Sequence, residues 1–218
     1  MTEFIQKKID IEESDQSMTF RPGQFKREPF SLERKNIYLI GMRGSGKTTV
    51  GRALARALGC ALVDTDQLVT DKAGCSIEAM VAEHGWDHFR RLESQALAEA
   101  AILPGKVVST GGGMILAAAN RDLMYATGVS FYLAADAALL VARLGRDANS
   151  AQRPALTPLA LHDEVAAVMA EREPLYMAGM DHMLQAHRTV EQLVDDTLVA
   201  LGLRDWDYSE KERVMDRY

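Results

Sequence analysis

A chain of 218 residues, 47% of them hydrophobic, can bury one good core with appendages but not a second full domain. Its formal charge of −6 gives no general pull toward nucleic acid or an anionic membrane, so any anion site must be built locally from a few focused cations. The cysteines, Cys60 and Cys75, show neither a close pair nor a metal-ligand spacing, no apolar run reaches membrane-spanning length, and residues 1–8 lead into no apolar h-region. These features exclude a disulfide framework and a membrane span, and predict a cytoplasmic protein with neither nucleic acid nor membrane as partner.

Residues 1–35 mix charges of both signs with scattered aromatics and Pro22, Gly23 and Pro29, and follow neither the helical nor the strand period. They read as an N-terminal arm, either docked through Phe20, Phe25 or Phe30 or disordered. Over residues 36–201 strand-like and helix-like segments alternate. Strands are predicted at 36–40, 61–64, 106–110, 128–133 and 182–185, with helical patterns between them, and such alternation predicts a parallel sheet covered on both faces. One helical pattern follows residue 48, another runs from Trp86 to Ala101, and a third covers 136–145. Residues 146–154 are small and polar, suited to a mobile flap. The pattern over 159–176 is helical and broken by Pro174. Residues 202–218 form a charged tail carrying Trp206 and Tyr208, which could dock as a helix or fray.

The stretch Gly41-Met42-Arg43-Gly44-Ser45-Gly46-Lys47-Thr48 fits the phosphate-cradling pattern of glycine, four residues, glycine, lysine and serine or threonine. Its context of strand, tight loop and helix is the one the pattern requires. The glycines let successive N–H groups turn inward into a nest, with the positive end of a helix dipole behind it. A polyphosphate is the natural guest, with Lys47 bridging the β- and γ-phosphates and the Thr48 hydroxyl on Mg²⁺.

Ligands of open parallel sheets gather at the carboxyl ends of the strands, and the residues there are polar or glycine-rich. Asp64 and Asp66, one residue apart, can divide between the Mg²⁺ shell and an acceptor hydroxyl, or Asp66 can cap a helix starting at Gln67 while Asp64 serves the turn. Spacing alone leaves the two readings level. Gly111-Gly112-Gly113 offers close backbone approach and N–H donors, or is a sharp turn. Arg90 either takes a carboxylate in a bidentate fork or lies on a solvated face with Glu93 as its i+3 partner. Arg153 and Arg172 carry the same ambiguity singly.

Taken together, residues 41–48, Val63-Asp64-Thr65-Asp66, Phe89-Arg90, Ser109-Thr110-Gly111-Gly112-Gly113, Arg153-Pro154 and Arg172 through Leu175-Tyr176 fall in the order and approximate spacing of shikimate kinases. The resemblance spans residues 36–201, and Asp-Thr-Asp-Gln and Arg-Pro-Ala-Leu-Thr look especially like the second isoenzyme of enteric bacteria. It implies a nucleoside-monophosphate-kinase-like α/β fold with a five-stranded parallel sheet of order 2-3-1-4-5, helices on both faces and a mobile lid. The implied reaction moves the ATP γ-phosphate to the 3-hydroxyl of shikimate, giving shikimate 3-phosphate for aromatic amino-acid synthesis. By position, the resemblance places Gly44, Ser45, Gly46, Lys47, Thr48, Thr49, Arg143 and the lid Arg153 on ATP. It places Thr48 and Asp64 on Mg²⁺, Asp66 on the acceptor hydroxyl as base, and Arg90, Arg172, Gly112 and Gly113 around shikimate. Glu93 would orient Arg90 from behind. A monomer acting on ATP and one small acceptor is expected. One departure stands out: Ala186-His187-Arg188-Thr189 lacks the proline that members usually place there to embrace adenine.

Overall fold

The computed structural model describes residues 30–146 and 159–205. Five strands form one parallel sheet: β1 (Asn36–Ile40), β2 (Ala61–Asp64), β3 (Lys106–Ser109), β4 (Gly128–Ala134) and β5 (His182–Gln185), in the order β2-β3-β1-β4-β5. The predicted order and all five predicted strands are present, with β3 one residue shorter and β4 one residue longer than expected. β1 lies at the centre, pairing Tyr38 with Val108 on one side and with Ser130 on the other. Every residue of β1 is buried, which is why its sequence is a continuous apolar run and not an alternating one. Its one polar end is satisfied, because the Asn36 Oδ1 accepts the Lys106 N–H at 3.0 Å.

Helices α1 (Lys47–Leu58) and α7 (Val190–Ala200) pack together, with α1 lying against β2 and β3. Helices α3 (Ile77–Ala101) and α4 (Ala118–Thr127) pack together, and α4 and α6 (Leu161–Gly179) lie against β4. α2 (Thr65–Ala73) joins β2 to α3, and α5 (Ala137–Arg146) packs on α6. Two departures from the sequence expectation have physical reasons. The helix predicted from Trp86 is the second half of α3, which begins nine residues earlier and is kinked where Gly85 leaves helical geometry at φ 77°. Pro174 does not break α6, which continues to Gly179. Beyond the proline, Tyr176 stacks on Tyr132 at 4.9 Å and donates to the Gly112 carbonyl at 2.6 Å. Those anchors help offset the roughly 3 kcal/mol that an interior proline costs a helix.

The apolar interior is divided. The main core runs through β1, β3 and β4 to α1 and α7, and includes Leu97 and Ala100 at the end of α3. A second, smaller cluster of Val69, Ile77, Met80, Phe89 and Ala96 lies between α2 and α3. Phe30 packs against the main core, whereas Phe20, Phe25, Trp206 and Tyr208 fall outside the described residues. Among the described residues no helix is long and apolar enough to cross a membrane.

Candidate active site

The carboxyl end of β1 runs directly into the phosphate loop, where Gly41, Gly44 and Gly46 have φ of 145°, 81° and 102°. These are values that L side chains rarely adopt, so the glycines are needed for the turn itself. α1 starts at Lys47 with no side-chain cap and no acidic residue in its first turn. Its leading N–H groups and dipole are therefore left for an anion. The Lys47 ammonium donates to the Gly41 and Met42 carbonyls at 2.8 and 2.9 Å, which holds it over the loop.

Beside the loop, at the end of β2, the two aspartates separate their duties, and the sequence reading that gave Asp66 the cap is corrected. Asp64 is the N-cap of α2, its Oδ1 accepting from the N–H groups of Asp66 and Gln67 at 3.1 and 3.3 Å. Its other oxygen accepts from the Thr48 hydroxyl at 2.7 Å. Asp66 is thus released from capping; it is 8% exposed and its side chain lines the cavity in front of the phosphate loop. That cavity, about 690 Å³, is bordered by residues 43–50 as well as Asp64, Asp66, Ser109, Arg143 and Arg188. Gly44, Ser45, Gly46, Lys47, Thr48 and Thr49 therefore all face the same space. Its size suits a nucleotide-sized ligand.

Arg143 ties the two sides of this cavity together. One guanidinium nitrogen donates to the Ser45 carbonyl at 2.9 Å, and the other to the Ala186 carbonyl at 2.8 Å beyond β5. Arg188, to which the sequence assigned no role, also lines the cavity and is paired with Asp196 of α7 at 2.6 Å. It stands three residues past the end of β5, in the 186–189 stretch where the family resemblance looks for adenine contacts, and that position was the signal that could have found it.

Against the same cavity opens a small cleft of about 60 Å³, lined by Arg43, Asp66, Trp86, Phe89, Arg90, Glu93, Gly112, Gly113 and Arg172 among others. The solvated-face reading of Arg90 fails. Glu93 is 1% exposed and forms an ion pair with Arg90, whose guanidinium sits 5.1 Å from the Trp86 ring centre. Burial pushes the Glu93 carboxyl up to about 7; the Arg90 guanidinium pulls against that and the nearby Asp66 carboxylate adds to it. Arg172, from α6, donates to the Gly112 carbonyl at 3.2 Å, while its buried Nε has no hydrogen-bond partner among the described residues. An arginine with an unspent buried N–H beside a second arginine is a ready site for a carboxylate.

The three glycines are spaced for these neighbours. A methyl on Gly113 would lie 1.7 Å from Arg90 Nη1, and one on Gly111 would lie 2.4 Å from Glu93 Oε1 and 2.5 Å from Asp66 Oδ1. The Thr65 hydroxyl accepts the Gly111 N–H at 3.0 Å, fixing the glycine turn to the end of β2. Tyr176, quoted in the motif but given no task, holds the turn from the other side through Gly112.

The donor set in front of α1 suits a hard divalent cation. Thr48 and Asp64 supply a hydroxyl and a carboxylate oxygen, and among the described residues no three His, Cys, Asp or Glu side chains cluster tightly enough to hold a metal alone. Two oxygen donors beside a phosphate nest are what Mg²⁺ accepts when the substrate's phosphates complete its coordination. Of the residues to which the resemblance gave a role, all but Arg153 line one of the two cavities; Arg153 lies outside the described residues.

A family model described as shikimate kinase matches residues 43–201. The chain is 48% identical over 166 residues to the shikimate kinase of Nitratidesulfovibrio vulgaris, covering 76% of this chain and 95% of that protein. It is 46% identical over 167 residues to shikimate kinase 2 of Enterobacter sp. (strain 638), covering 77% of this chain and 95% of that one. Among solved structures, the shikimate kinase of Acinetobacter baumannii in complex with shikimate superposes with a TM-score of 0.74 at 29% identity, covering 80% of this chain and 97% of that one. The gluconokinase of Sinorhizobium meliloti, at 16% identity and a TM-score of 0.50, shares the fold alone.

Proposed function

The chain belongs to the shikimate kinase family and is an ATP-dependent kinase of the shikimate pathway; from that premise we propose how its residues divide the reaction. ATP lies in the larger cavity, its β- and γ-phosphates in the nest of residues 41–48, with Lys47 between them and Arg143 holding the loop in shape. Shikimate lies across the neck between the two cavities. The smaller cleft has room for a few heavy atoms, enough for the carboxylate end, and Arg90 and Arg172 grip that carboxylate with Gly112 and Gly113 beneath it. Glu93 fixes the Arg90 guanidinium from behind.

This arrangement leaves the 3-hydroxyl facing Asp66. The aspartate accepts a hydrogen bond from that hydroxyl, orients its oxygen toward the γ-phosphorus and takes the proton as the new bond forms. In so loose a transition state, orientation contributes more than basicity. Thr48 and Asp64 would hold Mg²⁺, which when bound neutralises charge on the β- and γ-oxygens. Arg153 would add cation density from the lid as water is excluded.

The observation that carries the reading is the convergence of the two cavities on Asp66, an acid freed from capping by its neighbour Asp64. The test is a panel of acceptors, shikimate, quinate, gluconate and nucleoside monophosphates, scored for ATP-dependent phosphorylation, with Arg90→Ala alongside. Phosphorylation of shikimate alone, with Arg90→Ala raising the shikimate KM far more than that for ATP, is the expected result. Equal shifts in both KM values would remove Arg90 from the acceptor side.

A further inference from the structure

The nucleotide cavity and the acceptor cleft share three lining residues, Arg43, Asp66 and Gly112. Whatever passes from one ligand to the other passes between these three. Gly112 brings no side chain, and its carbonyl is already taken by Arg172 and Tyr176. Asp66 brings negative charge to a place where a γ-phosphate must arrive. That repulsion has to be offset locally, because the chain as a whole is acidic.

The described cations divide by position. Lys47, Arg143 and Arg188 border the nucleotide cavity alone, and Arg90 and Arg172 border the acceptor cleft alone. Arg43 borders both spaces, and its main chain is firmly seated. Its N–H nitrogen lies 3.3 Å from where a Gly112 methyl would be, and the Met42 carbonyl just before it accepts from Ser45 N–H at 3.2 Å.

We propose that Arg43 is a further catalytic residue, donating its guanidinium N–H groups to the equatorial oxygens of the phosphoryl group while it is in transit through the neck. The proposal rests on the reading of this site as a shikimate kinase. As the bond from the γ-phosphorus to the ADP oxygen breaks, the bond from the acceptor oxygen forms and the hydroxyl proton goes to Asp66. Arg43 neither gains nor loses a proton; it meets the charge carried on the three oxygens between donor and acceptor. Because that charge occupies the neck only in transit, the contact is made chiefly in the transition state, and its loss falls on kcat and not on either KM.

The test compares wild type, Arg43→Met and Arg43→Lys in steady-state kinetics with ATP and shikimate, with binding of ADP, aluminium fluoride and shikimate as a second readout. For Arg43→Met, kcat should fall about 10²–10³-fold, as when one donor to a developing oxyanion is lost, with both KM values within about threefold. Arg43→Lys should recover only part of kcat, since an ammonium cannot span two oxygens. The ternary aluminium fluoride complex should form with wild type and weaken in Arg43→Met while ADP binding alone is retained. Unchanged kcat in Arg43→Met, or a raised ATP KM accompanying any fall in kcat, would overturn the proposal and leave Arg43 a loop-shaping residue. Wild type that is inert with shikimate but active on another acceptor would overturn the acceptor reading instead, and Arg43→Met would then be judged on that acceptor by the same criterion.

Discussion

Replacing Glu93 with glutamine removes a carboxyl whose ionisation is opposed by its burial, and the effect on stability can be worked out from the fold. The ordinary value for this group is 4.5, and in the folded protein it stands at about 7. Between those values the folded state holds a proton that the unfolded chain has released, so stability falls as pH rises through this window. The favourable contribution is fully present below about pH 4.5 and gone above about pH 7. The gap of about 2.5, at about 1.4 kcal/mol per pH unit, gives about 3–4 kcal/mol, little screened by solvent because Glu93 is 1% exposed. The glutamine side chain does not titrate. The stability of wild type minus that of Glu93→Gln, from urea unfolding of the ligand-free proteins at several values from about pH 4.5 to about pH 8.5, should therefore decline by about 3–4 kcal/mol across the series. Taking the difference cancels the other titrating groups to first order. A difference that stays flat within about 1 kcal/mol would show that Glu93 ionises without penalty and that its burial has been misjudged.

Gly113→Ala would put a methyl 1.7 Å from Arg90 Nη1, the nitrogen paired with Glu93; the flexible guanidinium must swing away, so the shikimate KM should rise about tenfold or more and the thermal midpoint should fall as the buried Glu93 loses its partner. Asp66→Asn should keep nucleotide binding, measured by titration calorimetry, while kcat in a coupled ADP-release assay falls by about 10²–10⁴-fold. Tyr176→Phe removes one of two donors to the partly buried Gly112 carbonyl and should cost about 1 kcal/mol in urea unfolding, with Arg172 keeping the acceptor from being orphaned.

The phosphate loop and the strands were legible because each depends on local chemistry: glycines where φ must be positive, and apolar runs where both faces are covered; the order of the strands came from the family resemblance alone. The division between Asp64 and Asp66 was not, since two aspartates at one helix start can each serve as cap and only the hydrogen bonds separate them. Glu93 looked like a surface partner for Arg90 because an i+3 spacing is the same whether the pair faces water or the interior. Its burial depends on the glycine turn after β3 closing over it, a contact between elements far apart in sequence. Pro174 was misread for a related reason, as the anchors that carry α6 past it lie on β4 and on that same turn.

The separation of the interior into two apolar clusters bears on how such a chain can diverge. α2 and most of α3 rest on five buried side chains of their own, and α3 joins the larger interior only near its end, at Leu97 and Ala100. Arg90 and Glu93, proposed for the acceptor side, are therefore mounted on an annex, whereas Arg172 and the residues proposed to handle phosphate stand on elements of the main frame. Mutations that reshape the annex can retune which hydroxy acid is accepted while the triphosphate machinery stays intact, so new specificities on this scaffold need not begin from a crippled kinase.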